Sequence, residues 1–179
     1  IFRKLIKYLS NSAMTGLHPS YRSHLKPDLF EKEQRRLEKI TEGEVTYNRF
    51  HFLRLKFPDS YRLLIAKGIT DDFSLGYSTV NGFRASTCTP FYFYDLERDE
   101  ITNLRVHPFI FMDSVIIDQL EMKPAEAIIE IRELVDQVKK YGGEAIGIWH
   151  NYSLSEKDQY KGWQEVLATI FEHYQKADL

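Results

Sequence analysis

Residues 124–174 constrain the architecture more than any other part of the chain. Pro124 opens a segment with Ile128, Ile131, Val135 and Val138 on one helical stripe, and Gly142-Gly143 stops it. A short apolar run, Ala145-Ile146-Gly147-Ile148-Trp149, follows and ends on His150. Trp163, Val166, Leu167, Ile170, Phe171 and Tyr174 then recur at steps of three and four, the spacing of a terminal amphipathic helix. Helix, glycine stop, buried strand, loop and helix together predict an α/β fold with parallel strands.

The rest of the chain agrees with that class. Apolar Ile1, Phe2, Leu5, Ile6 and Leu9 predict a helix over residues 1–11, and residues 14–18 read as a short buried strand. Pro27-Asp28 opens a charged helix through Ile40, with Phe30, Leu37 and Ile40 inward, ended by Thr41-Glu42-Gly43-Glu44. Residues 45–48 read as a strand. Pro58-Asp59-Ser60 starts a helix carrying Tyr61, Leu64 and Ile65, with Gly68 at its stop. Residues 69–77 read as strand or loop. From Val80 to Asp113 aromatics are dense and lack a helical period, so short β segments and ordered loops are expected, with a polar turn at Arg98-Asp99-Glu100. A chain of 179 residues fits one domain, and no repeat or linker interrupts it.

Composition removes several classes of function. Lys and Arg number 24 against 26 Asp and Glu, so no basic stripe suited to nucleic acid is present. Cys88 stands alone, which excludes an internal disulfide and a cysteine-built zinc site. No apolar run is long enough to span a membrane. The chain contains no glycine-rich phosphate loop, no Gly-x-Ser-x-Gly elbow and no His-Glu-x-x-His helix.

The residues that can carry chemistry gather where strands are expected to end. His18 closes Met14-Thr15-Gly16-Leu17-His18, and His150 closes the run from Ala145. An imidazole at a strand end can bind a metal or relay a proton, or it can simply satisfy loop hydrogen bonds. If the parallel strands share one mouth, the two histidines meet there. Arg49 and His51 follow the strand at residues 45–48, where arginine can orient a carboxylate or stabilise an oxyanion, or pair with an acid to fix a loop. Asp71-Asp72 can orient a base or cap a turn. Arg84, Tyr77, Tyr92 and Tyr94 can line a sugar groove, the competing role for the rings being core. His107 and Asp113 flank an apolar run and fit ordinary structural roles, and His24 and His173 are assigned none.

These pieces resemble the polysaccharide deacetylase superfamily, carbohydrate esterases with a NodB-like distorted β/α barrel, in a divergent bacterial branch. Gly16-Leu17-His18-Pro19-Ser20 is similar to its metal-binding histidine motif, and Arg49-Phe50-His51 with Leu53-Arg54 to its arginine motif. Gly68-Ile69-Thr70-Asp71-Asp72 resembles the next strand's approach, and Ile146-Gly147-Ile148-Trp149-His150 the motif whose histidine is the catalytic acid. The resemblance spans most of residues 14–150. It implies hydrolysis of an N-acetyl group from an amino-sugar envelope glycan. A divalent metal, zinc, would be held in part by His18, with His150, Arg49 and Asp72 catalytic and His51, Arg84, Tyr77 and Tyr92 on substrate. Its setting would be the bacterial cytoplasm or envelope.

The chain also departs from that pattern. Arg22 stands where the family has its second metal-binding histidine, and His24 lies two residues further on. Residues 1–15 hold no acid to supply the family's opening aspartate pair. The expectation is an incomplete barrel whose first strand lies upstream of Ile1, inactive as it stands, with an exposed edge favouring self-association. Two other readings remain open. One is a metal-free or non-catalytic relative that binds glycan or scaffolds an envelope enzyme. The other is a different β/α hydrolase with Asp72 and His150 as its acid–base pair.

Overall fold

Short parallel strands alternate with helices through most of the chain, and the class is mixed α/β. The computed structural model describes residues 2–175, excepting the side chains of 158 and 175. Ile1, counted in the first expected helix, lies outside the described residues. Contacts divide the chain into two compact units: residues 1–75 with 91–107, and residues 76–90 with 108–179. Both sheets are open, and no closed barrel forms among the described residues.

The first unit contains helices α1 (Phe2–Ser10), α2 (Pro27–Thr41) and α3 (Asp59–Ala66). Its strands are β1 (Tyr47–Asn48), β2 (Asp71–Asp72), β3 (Phe91–Asp95) and β4 (Glu100–Val106), in the order β1-β2-β4-β3. β1, β2 and β4 run parallel, with Asn48 opposite Asp72 and Asp72 opposite Val106. β3 and β4 form the antiparallel hairpin of the aromatic region, with a register shift between Tyr92 and Tyr94. The strand expected at 14–18 reduces to a parallel bridge from Leu17 to Asn48. Gly16 permits it, because a Cβ there would lie 2.8 Å from the Tyr47 Cβ and 2.9 Å from its carbonyl oxygen.

α2 begins at Pro27 as its missing N–H allows, and buries Phe30 and Gln34. The buried Gln34 amide donates to the Val45 and Lys67 carbonyls at 3.0 and 2.9 Å, tying α2 to the ends of two loops. Phe30, Phe50, Tyr61, Leu64, Ile69, Leu104 and Val106 are almost fully buried. α1 is helical as its spacing predicts but buries none of its residues. Arg62 of α3 donates from Nε and Nη2 to the buried Asp95 at 2.6 and 2.7 Å, fixing α3 to the end of β3.

The second unit contains α4 (Pro124–Tyr141), α5 (Trp163–Gln175) and a two-stranded parallel sheet of β5 (Phe111–Met112) and β6 (Gly147–Ile148). A π-helical turn, Val115–Gln119, follows β5. α4 buries Ala127, Ile131, Leu134, Val135 and Val138, a stripe shifted slightly from the expected one. These residues form one cluster with Ile110, Phe111, Ile116, Trp163, Val166 and Ile170. Gly147 lies flat against Phe111, whose ring a Cβ would approach to 2.1 Å. Among the described residues no helix is long and apolar enough to cross a membrane.

Candidate functional site

Parallel strands send their C-terminal ends to one edge of a sheet, and side chains just past those ends share a rim. In the first unit this places His18 beyond the Leu17 bridge, Arg49 and His51 beyond β1, Phe73 and Ser74 beyond β2, and His107 beyond β4. In the second unit it places Asp113 beyond β5 and His150 beyond β6.

The rim of the first unit is organised from below by Asp72. This carboxylate is fully buried. It accepts from the Asn48 Nδ2 at 2.7 Å, from the Ser74 hydroxyl at 2.7 Å and from the Ser74 backbone N–H at 3.1 Å. Burial pushes the acid up to about 6, against the opposing pull of Asn48, Ser74 and the Arg49 charge. The Ser74 hydroxyl in turn accepts from the Phe50 N–H at 2.8 Å, so Asp72 holds the loop that carries Arg49 and His51. Asp72 thus also fills the turn-fixing role anticipated for it. Arg49 is half-buried and donates from Nε to the Phe73 carbonyl at 3.1 Å, with its guanidinium 5.9 Å from the Phe73 ring centre. Burial lowers its affinity for its proton, and Asp72 opposes that effect.

His18 is exposed, and its Nδ1 lies 2.7 Å from the Arg49 carbonyl. A carbonyl only accepts, so in the neutral ring the proton sits on Nδ1 and the lone pair on Nε2. That is the tautomer of a metal-ligating imidazole. The His18 and His51 ring centres are 4.9 Å apart. His107 is buried, with Nε2 2.7 Å from the Asp71 carboxylate and its ring stacked on Phe73 at 4.4 Å, a structural placement.

In the second unit Asp113 gathers four donors on one buried carboxylate. Oδ1 takes the His150 Nδ1–H at 2.6 Å and the Ser114 N–H at 2.8 Å. Oδ2 takes the His150 backbone N–H at 2.6 Å and the Ser153 hydroxyl. His150 itself is half-buried and stacks on Tyr152, ring centres 5.0 Å apart. A carboxylate on Nδ1 fixes the ring's orientation and directs Nε2 outward, as a histidine acting on a substrate proton requires.

The carboxylate on His150 is therefore Asp113, whereas Asp72 is committed to Asn48 and Ser74 in the other unit. From sequence alone Asp113 fits an ordinary structural role. The available signal was that Phe109-Ile110-Phe111-Met112-Asp113 repeats the pattern of the run ending on His150: apolar strand, then one polar side chain. The expected sugar-groove residues are divided between the units. Tyr92 and Tyr94 are exposed on β3 in the first; Tyr77 and Arg84 are exposed in the second, where Arg84 donates to the Gly76 carbonyl at 3.0 Å. Arg22 is exposed and His24 half-buried, with the His24 Nδ1 3.3 Å from the Tyr21 carbonyl. Among the described residues no group of three His, Cys, Asp or Glu side chains is placed to hold a metal ion. The chain matches no protein-family model and no curated protein.

Proposed function

We propose that this chain forms part of a carbohydrate N-deacetylase, a hydrolase that removes N-acetyl groups from an amino-sugar glycan, with His150 as proton donor. The observation that carries the reading is the buried Asp113 carboxylate on Nδ1 of a strand-end histidine. Water adds to the acetyl carbonyl, the C–N bond breaks, and acetate and a free amine result. The amine is too basic to depart as an anion, so a proton must reach its nitrogen as the bond breaks. His150 delivers it from Nε2, and Asp113 stabilises the ring through the opposite nitrogen. Arg49 supplies a guanidinium suited to substrate oxygens at the rim of its own unit.

The reading includes the distorted β/α barrel of the polysaccharide deacetylases. Its support is that both units carry polar side chains just beyond the C-terminal ends of parallel strands. A divalent metal, zinc, would supply carbonyl polarisation and a more acidic bound water. His18 fits one place in such a site through its tautomer. The described residues do not complete a ligand set, so no step is written through the metal. The incomplete ligand set, with Arg22 in place of the second histidine, favours a second reading: a metal-free relative that binds glycan without cleaving it.

Acetate release from a tetramer of N-acetylglucosamine by the whole protein of which this chain forms part, assayed with added zinc, separates the two. The deacetylase reading expects turnover that drops at least about 100-fold in His150→Ala. Equal turnover in wild type and His150→Ala, or glycan binding with no acetate in any form, would refute it.

A further inference from the structure

The first unit carries an unusual surface feature beside His18. Phe52 is 71% exposed, and its backbone is left-handed, with φ 55° and ψ 23°. Leu53 follows at φ 52°. Two successive non-glycine residues in this region are sterically disfavoured by their Cβ atoms. Such a conformation persists only where the surroundings enforce it, and here the Ser74 contact to Phe50 and the bond from the Leu53 N–H to the Phe50 carbonyl, 3.0 Å, close the turn. The result is a large apolar ring held outward in water.

Phe52 is not alone. Tyr21, 49% exposed, meets it edge to face at 5.6 Å. The Arg54 guanidinium lies 4.5 Å over the Tyr21 ring, and the His51 ring centre is 4.8 Å from that of Phe52. Among the described residues neither the His51 ring nor the Arg54 guanidinium makes a hydrogen bond or ion pair. Two ring surfaces are thus bordered by N–H donors.

We infer that the exposed Phe52 ring forms a stacking platform for one pyranose ring, braced edge to face by Tyr21, with Arg54 and His51 donating to the sugar's hydroxyl or acetamido oxygens. A pyranose has the matching chemistry, an apolar C–H face and a rim of oxygen acceptors. The size of the patch also selects a small ligand. Each aromatic side chain buries at most about 250 Å², and a stable protein interface needs about 800 Å² from each partner. The inference rests on the glycan reading above for its ligand class and names a binding site that reading does not include.

Titration with the N-acetylglucosamine tetramer, followed by saturation-transfer difference NMR, tests it. Phe52→Leu and Tyr21→Ala should each weaken binding about tenfold, and Phe52→Leu keeps an apolar side chain in place as a guard against misfolding. Leu96→Ala removes another exposed apolar side chain, 86% exposed at the hairpin turn, and should leave binding as in wild type. Wild-type affinity in both platform variants, or no binding by the wild type, would overturn the platform. Acetate release with unchanged kcat and KM in Phe52→Leu would overturn the platform and leave the deacetylase reading standing. Platform-dependent binding without acetate release from any form would do the reverse.

Discussion

Asp72 offers the sharpest quantitative test of the first unit. Its carboxyl has an ordinary value of 3.8 and is pushed up to about 6 when folded, by burial. Between those two values the native protein binds a proton that the unfolded chain has released. Native stability therefore falls as pH rises through this window and levels off above it. Integrating the two titrations from pH 5 to pH 8 gives a loss on the order of 1 kcal/mol from this one group. Asp72→Asn keeps the shape and an oxygen for Ser74 and Asn48 but cannot titrate. The stability of wild type minus that of Asp72→Asn should thus drop by about 1 kcal/mol between pH 5 and pH 8, while titrating histidines cancel in the difference. For a urea slope of roughly 2 kcal/mol/M, the two midpoints move about 0.5 M relative to one another. Urea denaturation followed by far-UV circular dichroism reads this directly. Midpoints that run parallel across the range would show that Asp72 is ionised as easily in the fold as in water, and the account of how it is buried would fail.

Other substitutions probe other contacts. Gly147→Ala drives a methyl into the Phe111 ring and should cost about 1–3 kcal/mol, read as a lower Tm in tryptophan emission, since Trp149 and Trp163 both lie in the second unit. Gln34→Ala strands the Val45 and Lys67 carbonyls and should cost roughly 1–3 kcal/mol in urea denaturation. Arg62 holds the Asp95 carboxyl below its ordinary range, so that pair stabilises the fold at neutral pH and its contribution disappears as acid protonates Asp95. Arg62→Ala should accordingly raise the pH at which acid unfolding begins. Asp113→Ala removes the acceptor for four donors and should broaden or split the His150 ring resonances in NMR, with acetate release falling alongside.

The parts of the fold that could be read from sequence are those where burial imposes a period. α2, α4 and α5 each bury one stripe, and their starts at Pro27 and Pro124 and the stop at Gly142 were visible. The two-residue strands β1, β2, β5 and β6 are too short to show alternation, so in sequence only the apolar runs around β1, β5 and β6 and the Asp71-Asp72 pair that is β2 itself mark them. His18, Arg49, His51 and His150 stood out because their chemistry is specific. Asp113 did not, because an aspartate after an apolar run acquires meaning only when β5 pairs with β6 and brings it to His150. The outward setting of Phe52 was equally hidden, since a left-handed phenylalanine leaves no trace in composition. The hairpin of β3 and β4 was anticipated as β structure, but its antiparallel direction follows from the tight connection and not from the aromatics themselves.

The register shift within that hairpin has a bearing on solubility. β3 is the outermost strand of its sheet, and its aromatic residues would make it an inviting template for a stray β-strand from another molecule. The extra residues of the shift lie on β4, which runs four positions from Arg105 to Ile101 while β3 runs two from Tyr92 to Tyr94, and a bulge of this kind bends and twists the strand beside it. That added twist, carried into β3 through its neighbour, works against the flat edge that fibril-like stacking needs.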